Sequence, residues 1–323
     1  MSVQNIKIKE ILIDDSRFAS KGFLFDTPSC ETCHIKLFDK LGILYPVILY
    51  RDNKKQLHLV DGKKRLQYAK ENRMDMVSAI VLPETTPVTD IIILILCNKK
   101  HLIESSVINK IQFIFFAASL NAPERWILEM LCVPFEFKPH SEFLQECERI
   151  NNLPRELKLF CHEKRFSQKQ LLNLTYHPQD LLMQLMQWRS SIQLTASTMD
   201  EIASSLKNYL RSHNQTIRDF LAGPEVNEII ESSLSPRDKT EKLRQLIHIK
   251  QFPLLSEANA RMQKAIEQLD LPKNIFLTWD RTLENRNLDI AVHIRDPKKW
   301  QKTIDALRSE EVREAIEKIL EEL

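Results

Sequence analysis

The fold is most legible in Gly42–Leu82, GILYPVILYRDNKKQLHLVDGKKRLQYAKENRMDMVSAIVL. Val47–Tyr50 and Leu57–Val60 are short aliphatic runs separated by the polar Arg51-Asp52-Asn53-Lys54-Lys55, which predicts two strands and a turn. Lys64–Arg73 is rich in helix formers, with Leu66 and Ala69 three apart, and Val77–Leu82 is apolar and β-rich again. The expected order is strand, strand, helix, strand. Gly62 falls at the strand-to-helix turn, where a residue without Cβ lets a ligand approach the backbone. Lys63, Lys64 and Arg65 follow at the amino end of the helix, whose free N–H groups already favour an anion. A phosphate is the expected guest; the alternative is a plain turn with solvated cations.

The same residues carry a family resemblance. Gly42-Ile43-Leu44-Tyr45-Pro46 resembles the glycine-hydrophobic-hydrophobic-x-proline box of the ParB/sulfiredoxin-like domain, and Val60-Asp61-Gly62-Lys63-Lys64-Arg65-Leu66 resembles its glycine-glutamate-arginine-arginine box. The resemblance covers residues 5–103 and implies a nucleotide-binding domain. In partition proteins the second box holds the triphosphate of CTP; in sulfiredoxin and free-serine-kinase relatives it holds ATP or ADP. On that resemblance Gly42, Gly62, Lys63, Lys64 and Arg65 bind phosphate, and Arg17 falls where partition proteins carry an arginine after their first strand. Cys97-Asn98-Lys99-Lys100-His101 aligns with the third box, in which only Asn98 keeps the pattern. Cys97 stands in place of an acid, which weakens a hard magnesium site, and His101 replaces an arginine that clamps phosphate at any pH. Nucleotide binding therefore remains the expectation, magnesium stays open as a cofactor that the altered third box weakens, and CTP hydrolysis is at most weak. In the kinase relatives an aspartate just before the glycine takes part in catalysis. Asp61 holds that place here, with Asp14 or Asp15 as a second carboxylate.

At 323 residues the chain has room for two or three domains, and 43% hydrophobic with 28% charged residues is ordinary for a water-soluble protein. Only four glycines, with many Leu, Lys and Glu, predict a mostly helical chain. The net charge of +2 demands no polyanionic partner, so binding to DNA requires local basic patches. The first residues lack the apolar core of a secretory signal, and the longest aliphatic run, Ile91–Leu96, is too short to cross a bilayer. The expected location is the cytoplasm, on the nucleoid if DNA is bound, with no membrane partner. Six cysteines are then expected as free thiols. Cys30-Glu31-Thr32-Cys33-His34 has c-type haem spacing, but without an export signal no haem is expected, and one thiol pair cannot close a zinc site.

Along the rest of the chain, Ile6–Ile13 reads as an opening strand and Glu31–Leu41 as a helix. A helix beginning at Ile91 is capped by Thr89 or Asp90, and another over Ser105–Leu120 by Ser105 or Ser106. Pro123 suits a first helical position ahead of Glu124–Leu131, and a further helix runs over Ser141–Asn151. Leu153-Pro154-Arg155-Glu156-Leu157 and Phe166-Ser167-Gln168-Lys169-Gln170-Leu171-Leu172 resemble the partition-protein segment after the DNA-reading helix. Lys138, Ser141, Gln145 and Arg149 of the would-be reading helix, with Lys164, Arg165 and Lys169 of the basic stretch that follows, are the DNA-binding candidates. Against it, Lys138–Arg149 holds two bases and three acids, which a phosphate surface repels. Residues 151–190 are more basic and suit phosphate contact without base reading, against the alternative of a solvated helical surface.

Residues 195–250 read as a helical spacer broken at Gly223-Pro224 and Ser235-Pro236. From Ser256 to the end the order is helix, strands at Ile275–Trp279 and Leu288–Ile294, a helix starting at Asp296-Pro297, and a last helix capped by Ser309. It resembles the dimerisation domain of partition proteins. A two-strand hairpin with apolar helices is also too small to bury its own face. The fold class is thus α+β, predominantly helical. Its expected parts are a ParB/sulfiredoxin-like domain (1–103), a helix-turn-helix-like domain (104–194), a spacer (195–250) and an α-β-β-α domain (251–323) that makes a homodimer. The leading function is a ParB-like, nucleotide-responsive DNA-binding protein of partition or transcriptional regulation. The alternatives are an adaptor that kept the fold without either ligand, and a small-molecule kinase acting through Asp61.

Overall fold

The structure is a computed structural model that describes residues 2–14, 16–19, 23–24, 38–269, 271–294 and 300–322. Cys30, Cys33, His34, Asp15, most of the expected Glu31–Leu41 helix and Asp296-Pro297 lie outside the described residues. The architecture is α+β and mostly helical, with a five-stranded mixed sheet near the start and a two-stranded sheet near the end. The chain divides into two units. Residues 1–187 with 195–200 form the first, and 188–194 with 201–323 the second.

The first unit opens with β1 (Val3–Lys7), a 3-10 turn (Ile8–Glu10) and β2 (Ile11–Leu12). The single strand expected over Ile6–Ile13 is therefore broken in two. Topology supplies the reason: β1 pairs with β5 (Met76–Leu82) at one edge, whereas β2 pairs with β4 (Leu57–Asp61) at the other. With β3 (Val47–Arg51) between them the order is β1-β5-β3-β4-β2, so the short turn joins two opposite edges and the sheet must curl. Helix α1 (Lys63–Glu71) lays Leu66 and Ala69 onto Val47, Leu49, Leu59, Val77 and Ala79, which form one core cluster with Ile8 and Ile11.

The run at Ile91–Leu96 settles as helix α2 (Val88–Ile103), which buries Ile91, Ile92 and Ile95. Its N-cap is Pro87 rather than Thr89 or Asp90, because the Pro87 carbonyl accepts from the amide of Ile91 (3.3 Å) and starts the helix earlier. Ser106 caps α3 (Val107–Ser119), accepting from the Asn109 amide. The following helix is shorter than expected: α4 (Glu124–Ile127) passes into one π turn over Leu128–Cys132, with Pro123 at the N-cap instead of inside the helix. Then come α5 (Phe143–Asn151), α6 (Arg155–Glu163), α7 (Gln168–Leu174) and α8 (Gln179–Gln187). Helix α3 is the hub, packing against α2, α4, α5, α6 and α7.

A buried polar chain runs through this helical part. Gln112 of α3 is fully buried; its Oε1 accepts from the Leu24 amide (2.8 Å) and its Nε2 donates to Asn151 Oδ1 (3.2 Å). Lys158 donates Nζ to the Asn151 carbonyl (2.7 Å) and so satisfies the end of α5. Desolvation, with the nearby Arg155 charge, lowers the Lys158 pKa below its usual value. Lys158 is therefore a buried structural cation, not part of a basic surface.

Helix α9 (Ala196–Ser212) begins in the first unit and continues into the second, where after α10 (Ile217–Leu221) the predicted breaks become helix starts, at α11 (Pro224–Glu231) and α12 (Pro236–Gln251). Helix α13 (Pro253–Glu267), the antiparallel hairpin β6 (Ile275–Trp279) and β7 (Leu288–Val292), α14 (Trp300–Leu307) and α15 (Glu310–Glu322) complete it. Ser309 lies at the start of α15, where its Oγ accepts from the Val312 amide (3.4 Å). Ala258, Met262, Trp279 and Ile319 make the local core, and Trp279 Nε1 donates to Asn259 Oδ1 (2.7 Å).

Candidate phosphate-binding corner

The corner is built where β4 ends. β3 and β4 pair Ile48 with Asp61 but Leu49 with Leu59, so the register slips at Val60. Such a bulge re-aims the residues beside it. Gly62 then takes φ +104°, a left-handed backbone, and becomes the N-cap of α1. A Cβ on Gly62 would lie 2.8 Å from Val47 Cγ1 and 3.1 Å from Arg65 Nε and Nη2. The glycine is required twice over, by its dihedral and by the guanidinium packed on it.

Arg65 is not a loose cation. Its Nη2 donates to Asp61 Oδ2 (2.7 Å), and its Nη1 donates to the carbonyls of Pro46 (2.6 Å) and Tyr45 (3.3 Å). Side chains of Arg65 and Asp61 are 19% and 21% exposed, so the pair is neither solvent-screened nor sealed. Asn98 of α2 donates Nδ2 to the same Asp61 oxygen at 3.4 Å. Lys63 and Lys64 occupy the first turn of α1 and are half-buried.

The structure thus brings together Gly62, Lys63, Lys64, Arg65, Asn98 and Asp61. Gly42 lies on the approach to this corner. At φ +70° its amide bonds to the Phe38 carbonyl (2.8 Å), ending the turn over residues 38–41 just before the segment that receives Arg65. Arg17 is engaged with other groups, donating Nη2 to the Leu120 carbonyl (3.3 Å) at the end of α3 and its backbone N–H to His58 Nδ1 (3.2 Å). Since Nδ1 accepts, the ring proton sits on Nε2, which donates to Asp52 Oδ2 (3.3 Å). Desolvation raises the Asp52 pKa, but the Gln56 amide, His58 and the Lys54 amide outweigh it and hold the carboxyl below its usual range.

Sequence reasoning missed the Tyr45 and Pro46 carbonyls, the Val47 wall and the His58–Asp52 pair. Main-chain acceptors carry no side-chain signature; only Pro46, which fixes the local backbone, hinted at a shaped loop. The donor set does not fit a magnesium ion held by the protein. Asp61 is the one carboxylate at the corner among the described residues, it is engaged by Arg65, and no group of three His, Cys, Asp or Glu that could hold a metal occurs among the described residues.

The DNA-binding candidates lie on α5 and its surroundings. Lys138, Ser141, Gln145, Arg149, Lys164, Arg165 and Lys169 are all exposed. Helix α5 starts at Phe143, so Ser141 stands in the turn before it. Arg149 lies over the Tyr176 ring at 5.5 Å, and Lys164 and Arg165 close the end of α6, Arg165 at φ 54°. The segment between the π turn and α5, residues 133–142, is longer than the three or four residues of a helix-turn-helix. Of the cysteines, Cys97, Cys132, Cys147 and Cys161 are free thiols. Burial pushes Cys132 and Cys161 up to about 12 and Cys147 higher still.

Compared with known proteins, the chain finds no matching protein-family model and no matching curated protein. Solved structures do match, among them one titled as a Pnob8-like ParB-N domain, at 14% sequence identity and a TM-score of 0.34. The match covers 76% of this chain and 97% of that one. This chain is similar to a ParB-N domain. No helix among the described residues is long and apolar enough to cross a membrane.

Proposed function

We propose that the chain is a ParB-like, nucleotide-responsive DNA-binding protein acting in partition or transcriptional regulation. The observation that carries the reading is the Gly62 corner: a left-handed glycine at a helix start, three cations in the first turn, and Asn98 arriving from a second helix. Oriented amides, Lys63, Lys64 and the guanidinium edge of Arg65 suit the phosphates of CTP, or of ATP or ADP. Arg149, Lys164, Arg165 and Lys169 are exposed and suit contact with a DNA backbone. In the second unit Phe276 and Ile290 on the hairpin, Ile294 just after it, Trp300 on α14 and Leu320 on α15 are exposed apolar residues, which suits pairing with a second copy of the chain.

The test is retention on random-sequence duplex DNA at low and moderate salt, with and without CTP and magnesium. Salt-sensitive retention that changes with nucleotide is expected. The adaptor reading has its own support in the long 133–142 segment and the acids Glu142, Glu146 and Glu148 of the α5 region. Retention that is absent at low salt and unmoved by nucleotide would establish the adaptor instead.

A further inference from the structure

We propose that Asp61 is an internal competitor at the phosphate corner: its carboxylate occupies the guanidinium edge of Arg65 that an incoming phosphate needs, so the anion binds by displacing it. This rests on the phosphate-binding reading above.

Arg65 presents two edges with different partners. Nη1 is fixed by the carbonyls of Pro46 and Tyr45, at 2.6 and 3.3 Å, backbone acceptors that the fold holds in place. Nη2 is held by Asp61 Oδ2 at 2.7 Å, in the same kind of charge-assisted bond a phosphate oxygen would make. Anchoring through Nη1 therefore leaves the guanidinium in place while its other edge changes partner. Asn98 Nδ2 points at the same Asp61 oxygen and is the second donor that would pass to the newcomer. The bulge at Val60 and the left-handed Gly62 fix the Asp61 backbone beside Arg65, so its carboxylate stays within reach of the guanidinium. A side chain held there by the backbone acts as a tethered anion whose effective concentration an external one must overcome. Weakly charged anions are then rejected, and polyphosphates, which also engage Lys63, Lys64 and the helix amides, are admitted.

The measurement is binding of inorganic tripolyphosphate to the full chain by calorimetry, comparing wild type, Asp61→Asn and Asp39→Asn. Asp39 accepts from the Tyr68 hydroxyl (3.0 Å) rather than from Arg65, so its variant carries the same charge change without the competition. Asp61→Asn is expected to tighten binding by at least about tenfold and Asp39→Asn by no more than about twofold. In the ligand-free Asp61→Asn protein the Arg65 side-chain NMR signal is expected to leave its wild-type position, because the charge-assisted bond to the Asp61 carboxylate is lost. Equal affinity of wild type and Asp61→Asn overturns the competition and leaves the phosphate reading standing. Failure of all three proteins to bind tripolyphosphate overturns both.

Discussion

Two basic regions of the first unit treat the same residue types in opposite ways. At the Gly62 corner the guanidinium of Arg65 is packed on a backbone, paired with Asp61 and bound to two carbonyls. On the α5–α7 surface Arg149, Lys164, Arg165 and Lys169 are exposed, and Arg149 rests over an aromatic ring. A fixed cation can present a defined edge to one small ligand because its ordering entropy has been met on folding. Exposed cations order only on contact, which suits a polymer of evenly charged phosphates. The proposed phosphate corner therefore rests on a tethered cation and the proposed DNA surface on untethered ones.

The contrast is tested hardest at Arg65. Arg65→Ala should abolish tripolyphosphate binding and also destabilise the first unit by about 1–3 kcal/mol, since Asp61 and the Pro46 carbonyl lose their donor. Arg165→Ala should change stability by no more than about 0.5 kcal/mol, because its side chain is exposed. Denaturant titration of both variants decides, and equal losses would erase the contrast.

The two glycines extend the same contrast at smaller scale. Gly62→Ala meets both the left-handed φ and contacts at 2.8 and 3.1 Å, and should cost about 2–3 kcal/mol. Gly42→Ala has a φ of +70° but nothing within 4 Å of the new Cβ, so only about 1 kcal/mol of backbone strain is expected. A Gly42→Ala loss as large as that of Gly62→Ala would show that crowding by Arg65 contributes nothing.

On the exposed side, replacing Arg149, Lys164, Arg165 and Lys169 together by Ala should flatten the salt dependence of DNA retention, by roughly one unit of slope for each phosphate no longer neutralised. An unchanged slope would remove this surface from the DNA reading. Smaller still is the acid behaviour of the His58–Asp52 pair. The folded Asp52 carboxyl titrates below the ordinary 3.8, so its contribution is complete above that pH and disappears as pH falls through the folded value. Asp52→Asn should therefore flatten the acid limb of the stability curve and leave the neutral region less affected. Thiol mapping gives the least perturbing check: of the four described cysteines, only exposed Cys97 should be labelled before unfolding.

The strands at Val47 and Leu57, the helix after Gly62, the Ser106 and Ser309 caps and the breaks before Pro224 and Pro236 were all legible, because each rests on neighbours within a few residues. The same local logic placed three cations at one helix start. What misled was also local: Ile6–Ile13 has a strand pattern, yet it must cross between the two edges of a curled sheet and so contains a turn.

Sequence alone therefore established the order of elements, the glycine at the corner and the presence of cations behind it. Tertiary packing decided which groups Arg65 is bonded to. Arg65 meets Tyr45 and Pro46 from the segment before the neighbouring strand β3, Asn98 reaches Asp61 from another helix, Gln112 joins Leu24 to Asn151, and Lys158 is drawn inside. Each is a hydrogen bond between groups that packing brings together, formed because a buried donor or acceptor must find a partner wherever the fold has put one. No local periodicity encodes that choice.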